Sequence, residues 1–295
     1  MNRSRILVAG IAAASLVLGA AAFSAAAGTS SIESEIPLSQ DITKYVRYSY
    51  QGATSYGILE DDTVYQLDGD LFSSPSRTGV SAALADVELL APVVPSKVIA
   101  VGLNYRSHIG NAEPAEYPGL FAKYPTSIVG PGADIVIPAD AENVHYEGEL
   151  VVVIGKTAQN VSIEEAPDYI FGVTAGNDVS ERNWQRNDLQ WLRAKGADTF
   201  GPIGPVVVAG LDYNDLHVET RLNGDVRQAE STADLIFSVD TIVSYVSRYF
   251  TLYPGDIIFT GTPGSTRAMQ PGDVVEIEVQ GVGILRNPVT AAASR

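Results

Sequence analysis

An apolar strand that carries two acids is the feature that most constrains this chain: HYEGELVVVIG, residues 145–155. Glu147 and Glu149 stand two residues apart, and an uninterrupted apolar run follows them. Because residues i and i+2 of a strand share one face, both glutamates and His145 are predicted to point the same way. A strand this apolar is normally buried on both faces, where an unpaired carboxylate is very costly. The fold must therefore supply partners for two buried negative charges.

A third acid completes a candidate metal site. Asp178 ends a second apolar strand, YIFGVTAGND. Two buried carboxylates repel each other, whereas three are tolerable around a divalent cation. Ligands that are all oxygen favour a hard ion, Mg²⁺, Mn²⁺ or Ca²⁺. The alternative is an edge strand with solvated glutamates, which the apolar run after Glu149 opposes because exposed edges seldom carry such a run.

Polar residues at helical spacing follow Asp178. Arg182 and Gln185 come four and seven positions later and would share a helical face with it. The planar fork of Arg182 suits a substrate carboxylate, although an ordinary surface salt bridge is the alternative. Lys195, in RAKGADTFGPIGP, brings a positive charge into an apolar region, with a solvated loop lysine as the alternative. These residues are candidates for substrate binding.

Two further segments carry candidate chemistry. Tyr105 and His108 follow a predicted buried strand in VGLNYRSHIGNAEP, and the chain has only three histidines. The glycines and prolines after His108 make a poor helix and predict a mobile lid. The sequence FTGTPGS, residues 259–265, is a glycine-rich turn whose backbone N–H groups could hold an anionic oxygen. It lacks the G-x-x-x-x-G-K-[ST] pattern, so it is not a phosphate loop.

Charge and cysteine content exclude several classes of protein. The formal net charge of −16 argues against a nucleic-acid partner, which needs basic patches. With no cysteine, the chain has no disulfide, no thiolate zinc site and no cysteine nucleophile. Residues 1–27 have arginines, an apolar stretch and then small residues, the layout of a secretory signal peptide. We therefore expect export to a bacterial periplasm or medium without stable membrane insertion; an uncleaved anchor over 6–23 is the alternative.

Alternating and apolar runs predict a β-rich α+β protein. We divide the chain into the signal segment over 1–27, a linker with a small N-terminal β domain over 28–91, and a larger domain over 92–295. In the larger domain the predicted strands are 97–103, 126–129, 134–137, 147–155, 169–177, 203–209, 256–260, 273–279 and 282–286. Asn223-Gly224 predicts a hairpin, and SVDTIVSYVSRYF an amphipathic helix with Val239, Ile242, Val243, Val246 and Phe250 on its apolar stripe.

Six segments, taken in their order along the chain, resemble the fumarylacetoacetate hydrolase family. They are VGLNYRSH, HYEGELVVVIG, GNDVSERNWQ, AKGADTFGPIGP, STADLIFSVDTIVSYVS and TGTPGS. The resemblance runs from about Lys97 to Val289, about two-thirds of the chain. It implies a mixed β-roll catalytic domain that usually dimerises, often with a small N-terminal domain. The acids Glu147, Glu149 and Asp178 match the family's Mg²⁺ or Mn²⁺ ligands.

The same resemblance implies roles for the remaining candidates. Arg182, Gln185 and Lys195 fall where the family contacts substrate and the developing enolate, and Thr262 falls in its substrate-binding Gly-Thr turn. Tyr105 is a substrate-binding candidate beside the lid, and His108 matches the lid histidine that activates water.

One position departs from the family pattern. Small members pair that histidine with a glutamate three residues later, where this chain has Asn111. Glu113 or Glu116 could replace it as the catalytic partner of His108. The departure concerns hydrolysis more than the metal site.

The sequence thus predicts a metal-dependent enzyme acting on small 2-oxo acids through a metal-stabilised enolate. C–C bond hydrolysis of the acylpyruvate or fumarylacetoacetate type is favoured. Hydration, isomerisation or decarboxylation in aromatic catabolism is the alternative. Because of Asn111, an exported homologue that binds oxo acids without turning them over is a further alternative.

Overall fold

Extended strands dominate residues 42–293, the part of the chain that the computed structural model describes. The strands are β1 Thr43–Tyr50, β2 Ala53–Glu60, β3 Thr63–Asp68, β4 Ser76–Ala83, β5 Glu88–Leu89, β6 Val98–Gly102, β7 Gly119–Lys123, β8 Ile128–Val129, β9 Ile135–Ile137, β10 Val144–His145, β11 Gly148–Ile154, β12 Ile170–Asn177, β13 Ser180–Glu181, β14 Gly201–Ala209, β15 His217–Leu222, β16 Asp225–Ser231, β17 Ile257–Phe259, β18 Val274–Val279 and β19 Gly283–Ala291. The α-helices are α1 Arg106–Ile109, α2 Arg182–Asn187, α3 Leu192–Gly196 and α4 Val239–Ser247. Single 3₁₀ turns cover Leu84–Asp86, Pro125–Ser127, Ala166–Tyr169 and Thr232–Asp234. The predicted β-rich α+β class is confirmed.

The strands form one large mixed sheet and one smaller sheet. The large sheet runs in the order β4-β3-β2-β1-β14-β12-β11-β17-β6-β7, with β5 beside β1 and β8 beside β14. The smaller sheet runs β16-β15-β18-β19-β9, and β10 pairs with β13 as a short ribbon. At the centre of the large sheet, every residue of β11 is buried. The all-apolar run therefore forms a central strand, as its composition indicates.

The N-terminal strands continue this large sheet. Strand β1 pairs antiparallel with β14, with Thr43 opposite Ala209. All described residues, 42–293, lie within one compact unit. The boundary near residue 91 stays a prediction. The signal segment over 1–27 lies outside the described residues, as do residues 28–41, the start of the predicted linker and N-terminal domain. Over residues 42–293, no helix is long and apolar enough to span a bilayer.

Local sequence signals explain several of the observed elements. Asn223 and Gly224 join β15 to β16 with positive φ angles of 55° and 84°, as the predicted hairpin requires. In α4 the predicted stripe is buried up to Val246, and the Ser238 hydroxyl caps the N-terminus by accepting from Thr241 N–H. The helix ends at Ser247, so Phe250 falls beyond it and is 46% exposed. Its predicted place on the buried stripe is therefore wrong.

Candidate active site

The three predicted acidic ligands converge at the ends of two neighbouring strands. Strands β11 and β12 pair so that Gly148 lies opposite Asn177, which brings Glu147 and Glu149 beside Asp178. All three acids are buried, and one carboxylate oxygen from each lies within 4.8 Å of the others. Side-chain alternation turns both glutamates to one face, as predicted. The prediction that these acids form one cluster agrees with this geometry.

Gly148 explains the spacing of the two glutamates. A Cβ atom on this residue would lie 2.0 Å from Thr220 Oγ1 and 3.0 Å from Ile277 Cδ1, both on the smaller sheet. The face of β11 opposite the acids therefore packs so closely that it admits only glycine. The E-G-E pattern is consequently a packing requirement on one face and a candidate ligand set on the other.

Three cationic side chains face the acids. Lys195 Nζ donates to Glu147 Oε2 at 2.5 Å and to Asp178 Oδ2 at 2.6 Å. Lys123 Nζ donates to Asp178 Oδ1 at 2.5 Å and to the backbone carbonyl of Lys195. Arg182 donates to the second oxygen of Glu147. Three acids thus meet three bases, and their formal charges cancel within the protein.

Burial and pairing shift the pKa values of these groups in different directions. Burial alone would raise the pKa of Glu147, but the charges of Lys195 and Arg182 outweigh it and lower that pKa. Burial raises the pKa of Glu149 well above its ordinary value, and the carboxylates of Asp178 and Glu147 add to the effect. Burial would lower the pKa of Lys195, but Asp178 and Glu147 raise it. Glu149 is therefore the acid whose charge the protein itself balances least.

The residues Arg182 and Gln185 are held as a pair by helix α2. The Glu181 carboxylate accepts from Trp184 N–H at 2.5 Å and so caps the start of this helix. Arg182 Nη1 donates to Gln185 Oε1 at 2.8 Å, and Nη2 donates to Thr266 Oγ1 at 2.9 Å. The guanidinium is thus fixed in orientation. The predicted helix carries Arg182 and Gln185, but Asp178 lies before it, because Ser180 and Glu181 form strand β13; the predicted face shared with Asp178 is therefore wrong.

Lys195 lines the cavity, whereas the ring of His145 does not point with the two glutamates as predicted. Lys195 lies in the short helix α3 and is only 2% exposed, so it is not a solvated loop residue. His145 does not join the acids at the cavity: its ring contacts Thr266 Oγ1 at 2.8 Å and Asn143 Oδ1 at 2.9 Å. Burial and the charge of Arg182 lower the pKa of His145 to about 4. This neutral ring supports Thr266, which in turn accepts from Arg182.

The glycine-rich turn after β17 borders the acids. Thr262 Oγ1 donates to the Gly148 carbonyl at 2.9 Å and accepts from Gln228 Nε2 at 2.8 Å. Gly261 N–H donates to Glu149 Oε2 at 2.7 Å. Gln228 is buried and was not predicted from sequence; its amide holds the turn in place. The turn therefore supplies one backbone donor to a predicted ligand and presents Thr262 to the cavity.

His108 lies on α1 and is tied to the same turn. Its Nδ1 contacts the Gly264 carbonyl oxygen at 2.6 Å. Since a carbonyl oxygen can only accept, Nδ1 carries the proton and Nε2 is left as an acceptor. The neighbouring Ser107 hydroxyl accepts from Gly264 N–H at 2.8 Å and donates to Glu230. Two contacts thus hold the predicted lid segment against the turn.

The predicted lid carboxylates are not among the residues that line the cavity with His108. Glu113 and Glu116 are exposed, as is Asn111, and neither glutamate lines the cavity. The carboxylate that bonds this segment, through Ser107, is Glu230. Catalytic roles for Glu113 and Glu116 stay predictions that this arrangement does not support.

A cavity brings most of the candidates together. It is lined by Val101, Gly102, Leu103, His108, Phe121, Glu147, Glu149, Asp178, Arg182, Gln185, Trp191, Lys195 and Thr262. Tyr105 is 1% exposed and is not on the cavity wall, so its role in substrate binding stays a prediction. Lys123, Leu103, Phe121 and Trp191 were not predicted. The sequence contains one signal for Lys123, which is a single charged residue directly after the run GLFA.

The acid cluster fits a hard divalent cation. All its donors are carboxylate oxygens, the ligand type that Mg²⁺, Mn²⁺ and Ca²⁺ prefer. Within residues 42–293, the Glu149 carboxylate accepts one hydrogen bond, from Gly261 N–H, and no cationic side chain pairs with it. Glu147, Glu149 and Asp178 could therefore hold such an ion together, with Glu149 gaining the charge partner that the protein does not provide.

Known proteins share this fold and sequence pattern. Residues 97–290 match the family model described as Fumarylacetoacetate (FAA) hydrolase C-terminal, and residues 43–92 match one described as Rv2993c-like, N-terminal. The structure of 5-carboxymethyl-2-hydroxymuconate delta-isomerase from Mycobacterium smegmatis is 43% identical, with a TM-score of 0.81 over 84% of this chain and 100% of that chain.

Two further relatives carry other activities in their names. Oxaloacetate tautomerase Fahd2a, mitochondrial, of Rattus norvegicus is 38% identical over 240 residues, which cover 75% of this chain and 77% of the relative. Maleylpyruvate hydrolase from Sphingobium sp. SYK-6, in complex with manganese(II) ion and pyruvate, is 27% identical, with a TM-score of 0.71 over 85% of this chain and 100% of that chain.

Proposed function

The chain belongs to the fumarylacetoacetate hydrolase family, and we propose that it is a divalent-metal-dependent enzyme that moves protons on small 2-oxo acids, as in keto–enol isomerisation. The observation that carries the proposal is the convergence of three buried acids with Lys195, Arg182 and His108 around one cavity. The sequence favoured C–C hydrolysis; the contact of His108 Nδ1 with a backbone carbonyl supports isomerisation as our first proposal.

The charges of the site support a doubly charged substrate. Glu147, Glu149 and Asp178 would hold Mg²⁺ or Mn²⁺, with Ca²⁺ as a third candidate. When bound, the cation would act as a Lewis acid that polarises the 2-oxo group. Since the formal charges of the three acids and the three basic side chains cancel, a bound divalent cation would leave the site with two positive charges in excess. The enolate of a 2-oxo acid carries two negative charges, one on the carboxylate and one on the enolate oxygen, and balances them.

Arg182, Lys195 and His108 have separate proposed roles in the reaction. Arg182 is held by Gln185 and Thr266 and would orient the substrate carboxylate through its fork. The Lys195 ammonium would stabilise charge on the enolate oxygen. His108 Nε2, free to accept, would take the proton from C3 of the keto form and leave the enolate, whose oxygen would take a proton from solvent to give the enol; the reverse direction uses the same two transfers. This exchange needs no activated water.

C–C hydrolysis is the second candidate. The metal-bound maleylpyruvate hydrolase relative favours it, and His108 Nε2 can accept a proton from water as well as from carbon. Hydrolysis would need stronger activation of that histidine, whereas its Nδ1 faces the neutral Gly264 carbonyl and no carboxylate. Hydration, decarboxylation and capture of oxo acids without turnover rank below these two reactions.

Product analysis separates these reactions. Purified protein with Mn²⁺ would be mixed with enol oxaloacetate and with an acylpyruvate, and matched reactions would contain EDTA. Isomerisation removes the enol absorbance and leaves the carbon skeleton intact; hydrolysis of the acylpyruvate releases pyruvate and a carboxylic acid. We expect metal-dependent loss of the enol without pyruvate. Metal-dependent binding of both ligands with no rate above buffer would show an oxo-acid-binding protein instead.

Two properties of the whole chain accompany this proposal. Export to the periplasm or medium is proposed from the signal-like composition of residues 1–27. A homodimer is proposed from the family resemblance, since family members usually dimerise.

A further inference from the structure

Three apolar side chains line the cavity together with the polar groups, and we call them the apolar wall: Leu103, Phe121 and Trp191. Phe121 and Trp191 meet edge to face with their ring centroids 5.5 Å apart, and Leu103 lies beside them on the cavity wall. Lys195 Nζ lies 4.9 Å from the Phe121 ring centroid. The wall therefore begins at the ammonium group of the proposed reaction centre.

The backbone is shaped to present this wall. Leu103 has a φ of 60°, a conformation that bulky residues rarely adopt, and its side chain is 56% exposed. Such strain persists only where the surrounding structure imposes it, and it is commonest at ligand sites. At Gly102, a Cβ atom would lie 3.4 Å from Trp191 Cζ3 and 3.6 Å from Phe121 Cε1. Both distances are ordinary van der Waals contacts, so the indole and the phenyl ring lie directly against this residue of β6.

We propose that Leu103, Phe121 and Trp191 form a specificity subsite for a flat, apolar substituent on the substrate. The inference rests on the proposed function, because it assumes that the carboxylate end of a 2-oxo acid lies toward Arg182. The rest of the molecule then extends along the wall. The substrate class is an acylpyruvate with an aryl or alkenyl tail, in preference to one with a methyl tail. A flat tail can stack on the indole, whereas a methyl group leaves that surface in water.

Two substrates that differ only in the tail test the subsite. Benzoylpyruvate and acetopyruvate share the reacting carbons and the carboxylate. We expect Trp191→Ala to lower the ratio of kcat/KM for keto–enol isomerisation of benzoylpyruvate over that of acetopyruvate by about tenfold. The matched control is Trp184→Ala. Trp184 is the other of the chain's two tryptophans, and it stacks on Arg193 and does not line the cavity. It should leave the ratio as in the wild type.

Binding supplies a readout besides activity. Titration of the Mn²⁺-loaded protein with phenylpyruvate and with pyruvate should show tighter phenylpyruvate binding in the wild type, and Trp191→Ala should remove that preference. Leu103→Ala, at an exposed side chain, tests the same wall if Trp191→Ala fails to fold; about a threefold loss of preference is expected. Equal binding of both ligands by the wild type would overturn the subsite and leave the proposed function standing. Binding of neither ligand would overturn both.

Discussion

Lys123 offers the sharpest test of how this site is held together. Its ammonium group is buried against Asp178 Oδ1 at 2.5 Å, and both side chains are almost fully buried. Lys123→Met keeps the length of the side chain and removes the charge. Asp178 would then keep only Lys195, at 2.6 Å from its other oxygen. The metal-free protein should consequently lose stability.

The structure sets the size of this loss. Removing one partner of a buried ion pair costs about 3–5 kcal/mol, because the remaining charge is left desolvated. Since Lys195 still pairs with Asp178, we expect the lower end, about 3 kcal/mol. For a chain of this size, 1 kcal/mol corresponds to about 2–4 °C in Tm, so the expected fall is roughly 6–12 °C.

Thermal unfolding in EDTA and in saturating Mn²⁺ measures the effect. Bound Mn²⁺ would supply positive charge next to Asp178, so the ion should raise the Tm of Lys123→Met by more than it raises that of the wild type. Lys156→Met is the matched control, because Lys156 is exposed. A fall in EDTA no larger than that of the control would refute the reasoning. It would mean that burial, which lowers the pKa of Lys123, leaves this side chain uncharged in the fold.

Three further predictions follow from the acids, the lid and the N-terminus. Burial raises the pKa of Glu149 above its ordinary 4.5. The contribution of this carboxyl group to the free energy of unfolding is therefore fully present below pH 4.5 and is lost as the pH rises through the pKa of Glu149 in the folded protein. In EDTA, the Glu149→Gln protein should therefore become more stable than the wild type as the pH rises above 4.5. Titration calorimetry should show that this variant binds Mn²⁺ more weakly, and an unchanged Mn²⁺ affinity would exclude the proposed metal site. His108→Ala should lower kcat by about 10²–10⁴ with a smaller change in KM, whereas Glu113→Ala and Glu116→Ala should be mild; an undiminished rate in His108→Ala would remove the lid from the chemistry. N-terminal sequencing of protein from its native host should begin near Gly28, and an intact Met1 on soluble cytoplasmic protein would contradict export.

The acid cluster was predictable because local rules determine it. Strand alternation places Glu147 and Glu149 on one face, and the buried run after them fixes where that strand lies. Asp178 comes directly after the strand that pairs with it. Helical spacing likewise joins Arg182 to Gln185. Each of these inferences needs only neighbours in sequence or in a strand pair.

Contacts between distant elements were not predictable in the same way. Lys123 meets Asp178 across 55 positions, where β7 also packs against α3. The tie between Ser107 and Glu230 spans 123 positions. His145 shares the alternation of the two glutamates, yet Thr266 and Asn143 draw its ring away from the cavity. Hydrophobic periodicity and amino-acid composition describe one segment of the chain at a time. They therefore carry no information on packing between distant segments.

Strand β17 has a consequence for how the protein is made. It comes late in the chain, yet it lies between β11, which carries the acids, and β6, which leads into the lid: Ile258 pairs with Val152 on one side and with Ile99 on the other. Without residues 257–259, these two earlier strands have no common neighbour to set their register. A chain that lacks β17 keeps the residues of the β11–β12 pair but loses the strand that aligns β6, and with it His108, to that pair. Premature termination before β17 should thus yield acids without a lid, and an exposed apolar edge that favours aggregation.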